Sequence, residues 1–249
     1  DDGTVFPLSY LMELRGVVYG TDGDDEINVS SPGVNTIFPM GGNDIITVGG
    51  DGTNTIYATR GSNKIFITGR SANTVYGSLD GNDIIVATGT GRNIIDPGFG
   101  DNVIYAGTGS DTFIIGRGYG INRITANGGF DITRPRDRLV LKDGIRPAEV
   151  RLARYDRDLV VRIVDNSLSP SRTTFIGFFS GGVRRRLTDI TFDCGTVFTT
   201  ADIISIANDN RVTESPSVYI DEISEFYTYA VEGDGSTPSS PCDDTNAIS

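Results

Sequence analysis

The sequence contains no histidine at all. That absence excludes a Ser-His-Asp triad, a Cys-His pair and a histidine-ligated metal in one step. Cysteine is nearly as scarce: Cys194 and Cys242, far apart in the chain, fit neither a zinc pattern nor Cys-x-x-Cys redox chemistry. Basic residues are few, 21 against 33 acidic ones, and the net charge of −12 argues against nucleic acid and anionic membrane as partners. No apolar run reaches the roughly 18 residues of a membrane span, so none is expected. Tryptophan is absent and methionine occurs only 2 times in 249 residues, whereas glycine occurs 32 times, a composition suited to a turn-rich all-β chain. Paired carboxylates can cut sugars in principle, but the abundant Asp here belongs to a repeat. Turns such as "GSLDG" lack the strand-turn-helix setting of a nucleophile elbow. The expectation is a protein that is not an enzyme.

What the chain does have is a unit written Gly-x-Asx-x-aliphatic. Its Asx falls at Asp25, Asn35, Asp44, Asn54, Asn63, Asn73, Asp83, Asn93, Asn102, Asp111, Asn122 and Asp131, in steps of nine to eleven residues. A glycine stands two residues before each Asx except at Ser71. An aliphatic or Phe113 stands two residues after it except at Thr133. Such a unit is a strand too short to be a domain: one committed inward side chain flanked by outward ones, then a glycine turn open to positive φ. Alone it buries almost nothing, so units must stack at about 4.8 Å per layer. Two units make one coil of two strands and two turns. The fold class expected is all-β, a right-handed parallel β-roll (β-solenoid) of about six two-strand coils with a C-terminal antiparallel β cap.

The best copies, "GTDGDDEI" and "GTGSDTFI", resemble the nonapeptide of repeats-in-toxin (RTX) proteins over about residues 20 to 133. A later stretch, "DRLVLKDGIRPAEVRLARYDRDLVVRI" with "TTFIGFFSGGVRRRLTDITFDCGTVFTTADI", is similar to the haemolysin-type calcium-binding-related segment that follows those repeats. Its "FDCGTVFT" departs from the family pattern by placing Cys194 where aspartate is usual and Phe198 where tryptophan is usual. The resemblance implies calcium as the cofactor. A hard cation takes six to eight oxygens, and turn carbonyls supply neutral ones, so each site wants carboxylates from adjacent coils. One side of the roll stacks Asp25, Asp44, Asn63, Asp83, Asn102 and Asn122; the other stacks Asn35, Asn54, Asn73, Asn93, Asp111 and Asp131. Only Asp25 with Asp44 and Asp111 with Asp131 are doubly anionic neighbours. Calcium is therefore expected at those two pairs, with Asp83 and Asp22 as further candidates. Asn63, Asn102 and Asn122 are weaker candidates, and asparagines at this position have a second reading: an amide ladder that satisfies buried turn groups with no ion.

Organisation beyond the roll is coarser. Residues 1 to 19 read as a cap and lead-in strand, 20 to 133 as the roll, and 134 to 207 as antiparallel capping strands, from the alternation in "RLVLK", "LVVRI" and "TTFIGFF". Residues 208 to 249 read as a tail with a strand in "SVYIDEISEFYTYAV" and a Ser/Pro/Asp-rich end. A disulfide between Cys194 and Cys242 would pin that tail in a secreted protein; two separate thiols are the alternative. The opening "DDGTVFPLSY", without Met, is what signal removal leaves, and a fragment boundary looks the same. "NVS" at Asn28 is a glycosylation acceptor only in a eukaryotic secretory route.

The outward ranks bear most on function. One sheet is expected to show Thr36, Thr55 and Thr74 beside Phe38, Tyr57, Tyr76 and Asp96; the other shows Ile45, Ile84, Val103, Phe66, Val86 and Tyr105 among polar residues. Contiguous apolar patches mark contact surfaces. Either the chain's own ends cover them, or copies of itself or another extracellular surface polymer pack there. The expectation is a secreted, extracellular structural protein that builds a surface layer, fibre or matrix, with calcium as its folding and assembly switch. Alternatives are the C-terminal module of an exported toxin, adhesin or polysaccharide-modifying enzyme and, less in keeping with the irregular turn ranks, an ice-binding protein.

Overall fold

The inward files show how the repeat becomes a fold. In each coil an Asx, the residue two later and often the residue four later alternate into the interior. Ile37, Ile56, Val75, Ile95 and Phe113 form one file, Ile46, Ile65, Ile85, Ile104 and Ile124 the other, and all ten have 0% exposure. Each such side chain contributes about 1.5 to 3 kcal/mol by leaving water, and none is buried until its neighbours above and below are in place.

The computed structural model describes residues 16–126, 137–164, 171–180 and 187–212. Those residues form a nearly all-β solenoid of about six turns with antiparallel strands at its end. The first sheet stacks β1 (Val17–Tyr19), β3 (Val34–Phe38), β5 (Thr53–Tyr57), β7 (Thr74–Tyr76), β9 (Ile94–Asp96), β11 (Thr112–Ile115) and β13 (Asp137–Leu141) in parallel, then β17 (Leu187–Phe192) and β18 (Val197–Thr199). The second stacks β2 (Glu26–Val29), β4 (Ile45–Val48), β6 (Lys64–Ile67), β8 (Ile84–Ala87), β10 (Val103–Ala106) and β12 (Gly120–Ala126), and continues through β16 (Ser171–Phe175), β15 (Asp158–Ile163) and β14 (Val150–Tyr155) to β19 (Arg211–Val212). Registers are exact along the repeat: Ile27 lies on Ile46, Ile46 on Ile65 and Ile65 on Ile85.

Three features differ from expectation. Parallel stacking does not stop near residue 133: β13 lies on β11, β17 on β13 and β16 on β12, all parallel. Only β14, β15 and β16, and β17 with β18, pair antiparallel. Second, helix α1 (Thr200–Asp209) occupies a stretch taken for strand and the start of the tail. Its signal is the Thr199-x-x-Asp202 capping box, in which each side chain satisfies the other's backbone N–H. The helix seats Ile203 and Ala207 in the common core. Third, Asp96 does not face solvent; it is 8% exposed and holds Lys142 Nζ at 2.9 Å. The ammonium also lies 5.0 Å from the Tyr119 ring centroid, so this cluster ties the last coils together. Burial works against the Lys142 charge, but bonds with Tyr119 and Asp96 raise its pKa on balance, and burial pushes Tyr119 up to about 12. No helix among the described residues is long and apolar enough to cross a membrane.

Candidate functional site

The repeated Asx side chains point inward at the corners, where glycine turns bring backbone groups close. Gly61 shows why glycine is required: its φ is +74°, and a Cβ there would run into the Gly42 carbonyl of the coil below. With the turn so tight, the inward Asx side chain comes within reach of the buried N–H and C=O groups of the corner.

It reaches them in a fixed pattern. Asp25 N–H donates to Asp44 Oδ1 at 2.9 Å, Asp44 N–H to Asn63 Oδ1 at 3.0 Å, Asn63 N–H to Asp83 Oδ1 at 2.7 Å and Asp83 N–H to Asn102 Oδ1 at 2.7 Å. The last step is carried by Asn102 Nδ2 to Asn122 Oδ1, 3.0 Å. On the opposite corner Asn35 Nδ2 donates to Asn54 Oδ1, and Asn54, Asn73 and Asn93 donate upward in turn to Asn73, Asn93 and Asp111. The stacking order expected on each side is therefore the one observed through Asn122 and Asp111. Above Asp111, however, lies Asp137: Asp111 N–H donates to Asp137 Oδ1 at 2.9 Å. Asp131, expected in that place, lies outside the described residues. This last coil spans 26 residues instead of the 18 to 20 of the others, and "DRLVL" supplies the Asx-x-aliphatic step without its glycine.

A second ladder, on the Asp25–Asn122 corner, uses the residue before each Asx of that corner. Asn43 N–H donates to Asp24 Oδ1 (2.6 Å), Ser62 N–H to Asn43 Oδ1 (2.9 Å), Asn82 N–H to Ser62 Oγ (3.0 Å), Asp101 N–H to Asn82 Oδ1 (2.7 Å) and Ile121 N–H to Asp101 Oδ1 (2.8 Å). It runs opposite to the inner ladder, and it lies on the exposed rim. Its signal is the short polar residue at each of those positions.

The remaining atom of each inner Asx decides whether Asp or Asn belongs there. Asn63 Nδ2 donates to the carbonyls of Ala58, Arg60 and Gly61, and Asn102 Nδ2 to those of Gly98, Phe99 and Gly100. Asn122 Nδ2 donates to Tyr119 O. These turns present acceptors, so the amide fits. Asp83 and Asp25 meet donors instead: Asp83 Oδ2 accepts from Ser78 N–H at 2.7 Å, and Asp25 Oδ2 from Thr21 N–H at 2.6 Å and its hydroxyl at 3.0 Å.

Asp44 breaks the rule. It is 1% exposed, and its Oδ2 has no hydrogen-bond partner. In sequence register with Asn63, the corresponding residues of its turn are Pro39, Gly41 and Gly42. That turn is also the one holding Met40 at φ 77°, a conformation uncommon for a side chain of that size. Burial raises the Asp44 carboxyl above its ordinary value; the Asp25 N–H opposes this, and the nearby Asp25 and Asp24 carboxylates add to it. A buried carboxylate oxygen without a hydrogen-bond donor favours a positive charge beside it, so the Asp44 corner fits a cation. The amide-filled corners at Asn63, Asn102 and Asn122 do not. Asp22 sits exposed at the outer rim, and among the described residues no three acidic side chains converge as a metal cage.

Asp83 yields a pH prediction. Burial pushes its carboxyl up to about 6 from 3.8, against the N–H groups of Asn63 and Ser78. The folded state then holds this proton more tightly than the unfolded chain. Its contribution to stability is present at the acid end and is lost as pH rises from about 4 to about 6. As pH rises from about 4 to about 6 the melting temperature of the protein should fall relative to that of Asp83→Asn, and above that window the two should run parallel; parallel curves throughout would contradict the shift.

Cys194 lies in the turn from β17 to β18, partly buried against the core, with Sγ 3.6 Å from Thr196 Oγ1. Cys242 lies outside the described residues. Thr36, Thr55 and Thr74 form an outward rank, and beside it Phe38, Tyr57 and Tyr76 stack ring on ring at 5.0 Å. Compared with models of known protein families the chain matches none, and no curated protein matches it either.

Proposed function

We propose that the chain is a secreted structural β-solenoid of the repeats-in-toxin kind, a stiff building block of an extracellular layer, fibre or matrix, completed by calcium at the Asp44 turn. The observation that carries this reading is the Asp44 Oδ2 atom, buried without a hydrogen bond in the place where Asn63 and Asn102 put amide donors onto turn carbonyls. Calcium would supply the missing positive charge. It would be held by Asp44 and the carbonyls of its turn, with the Asp25 and Asp24 carboxylates close enough to add to the field. An ion that binds only the stacked coils stabilises them by mass action, about 2.7 kcal/mol at a hundredfold excess over Kd. Ordering would then follow calcium concentration. A Cys194–Cys242 disulfide belongs to the same secreted reading, as a tether for the tail.

The test is a pair of thermal melts, with calcium and with chelator, on the protein and on Asp44→Asn. Calcium should raise the melting temperature of the protein and leave Asp44→Asn unmoved. In chelator the variant should be the more stable of the two by about 1 to 3 kcal/mol, because its amide satisfies the carbonyls that the carboxylate repels. A calcium response of equal size in both would place the ion elsewhere, and no response in either would end the calcium reading.

A further inference from the structure

From β1 to β7 the outward side of the first sheet carries no charge. One rank runs Thr36, Thr55, Thr74, and the next runs Phe38, Tyr57, Tyr76, extended below by Tyr19. On a chain of net charge −12 this is the place where another acidic molecule can approach without setting carboxylate against carboxylate. The strip ends sharply at Asp96, whose charge is taken up by Lys142.

The rings themselves narrow the choice of partner. Tyr19, Phe38, Tyr57 and Tyr76 stack with centroids 5.3, 5.0 and 5.0 Å apart and planes within 15°, 7° and 11° of parallel. Their faces are turned to one another, so the flat face on which a sugar ring would stack is already used. What they present outward is a row of edges and hydroxyls at strand spacing, flanked by a row of threonines at the same spacing. A surface that meets every rank must carry the same repeat, and another roll does. The outward side of the second sheet is a poorer match, because Lys64 and Arg123 are exposed among its apolar ranks and would be buried unpaired against an uncharged strip.

We propose that this strip is where two copies of the chain pack face to face, first sheet on first sheet, about a two-fold axis. Ranks of one copy settle between ranks of the other, as the inner faces of a sandwich do. The proposal rests on the building-block reading and not on calcium at Asp44. Four strands at about 4.8 Å by five residues at about 3.3 Å give a contact of roughly 300 Å² per copy. That is well under half of the ~800 Å² per partner in a standard stable interface, so the pairing is concentration-dependent and rapidly reversible.

Sedimentation velocity on the full chain, from micromolar to near-millimolar concentration in calcium and in chelator, reads this directly. The weight-average mass should climb toward twice that of the chain. Thr55→Lys and Tyr57→Lys, whose side chains face outward and leave the core intact, should each remain single at every concentration while keeping the circular dichroism of the parent. Phe66→Lys, on the other sheet, should pair as the parent does. A parent that stays single throughout, pairing that survives Thr55→Lys, or pairing abolished by Phe66→Lys would each overturn the proposal, as would retention of the single chain on a neutral glycan column through Tyr57. Pairing that persists in chelator separates this surface from the cation: it sustains the proposal even if the Asp44 reading fails.

Discussion

Asn63→Ala should lower the stability of the roll by about 3 to 5 kcal/mol, as read by equilibrium urea unfolding. Asn63 is 1% exposed and serves four partners: its Oδ1 accepts from Asp44 N–H, and its Nδ2 donates to the carbonyls of Ala58, Arg60 and Gly61. A typical internal hydrogen bond is worth about 0.5 to 1.5 kcal/mol net, and a buried donor left unmet costs about 1 to 3 kcal/mol more. Alanine removes all four bonds and strands the Asp44 N–H between two coils where water has no room. Asn63→Asp separates the two halves of the effect. It keeps the acceptor for Asp44 but turns an oxygen toward the three carbonyls, reproducing at the next coil what Asp44 does in its own. That variant should lose less stability than Asn63→Ala and should gain a calcium response. A loss below about 1 kcal/mol for Asn63→Ala would mean that water takes over the ladder and the corners are wet.

Gly61→Ala should be equally severe for a different reason. Its φ of +74° is unfavourable for any residue with a Cβ, and that Cβ would overlap the Gly42 carbonyl and sit 2.7 Å from the Gly42 carbonyl carbon. Neither can move aside, because Gly42 is itself pressed against Gly23 of the coil below. The left-handed conformation costs about 1 to 2 kcal/mol, and overpacking typically adds about 1 to 3 kcal/mol. Gly33→Ala is the control: nothing lies within 4 Å of its Cβ position, so the change should be neutral or mildly stabilising, up to about 1 kcal/mol. Similar losses at both positions would show that chain flexibility, not coil contact, sets the glycine requirement.

The spacing of Gly, Asx and aliphatic was enough to place eleven strands, β2 to β12, in the right sheets and in the right order, because a side-chain period of two leaves one register that buries Ile37, Ile56 and Ile95 together. It did not distinguish one aspartate of the repeat from another. Asp44, Asp83 and Asp25 look alike in the sequence, and only the turn decides that Asp83 Oδ2 meets the Ser78 N–H while Asp44 Oδ2 has no hydrogen-bond partner. The outer ladder escaped notice because Asp24, Asn43, Ser62 and Asn82 share only shortness and an oxygen, too loose a class to stand out as a motif. Asp137 is hidden because the long excursion before it breaks the period, and the helix at Thr200–Asp209 because the alternation in "RLVLK", "LVVRI" and "TTFIGFF" carries the strand reading on to residue 207. Asp96 looked like one more outward residue since its cover, Lys142, comes from two coils away.

The two ladders run in opposite directions between every pair of coils from Asp24 and Asp25 to Ile121 and Asn122. Up to Asn102 each junction repeats the same inner and outer backbone bonds, so these bonds by themselves do not mark height in the stack. A tandem duplication of 19 or 20 residues, begun anywhere in this stretch, adds a coil whose upper and lower faces both fit. An insertion of one residue inside a strand instead flips the inward file and breaks both bonds at once. The length of the molecule can therefore be changed by inheritance or by design only in whole steps of about 4.8 Å, which makes the roll a ruler graduated in coils.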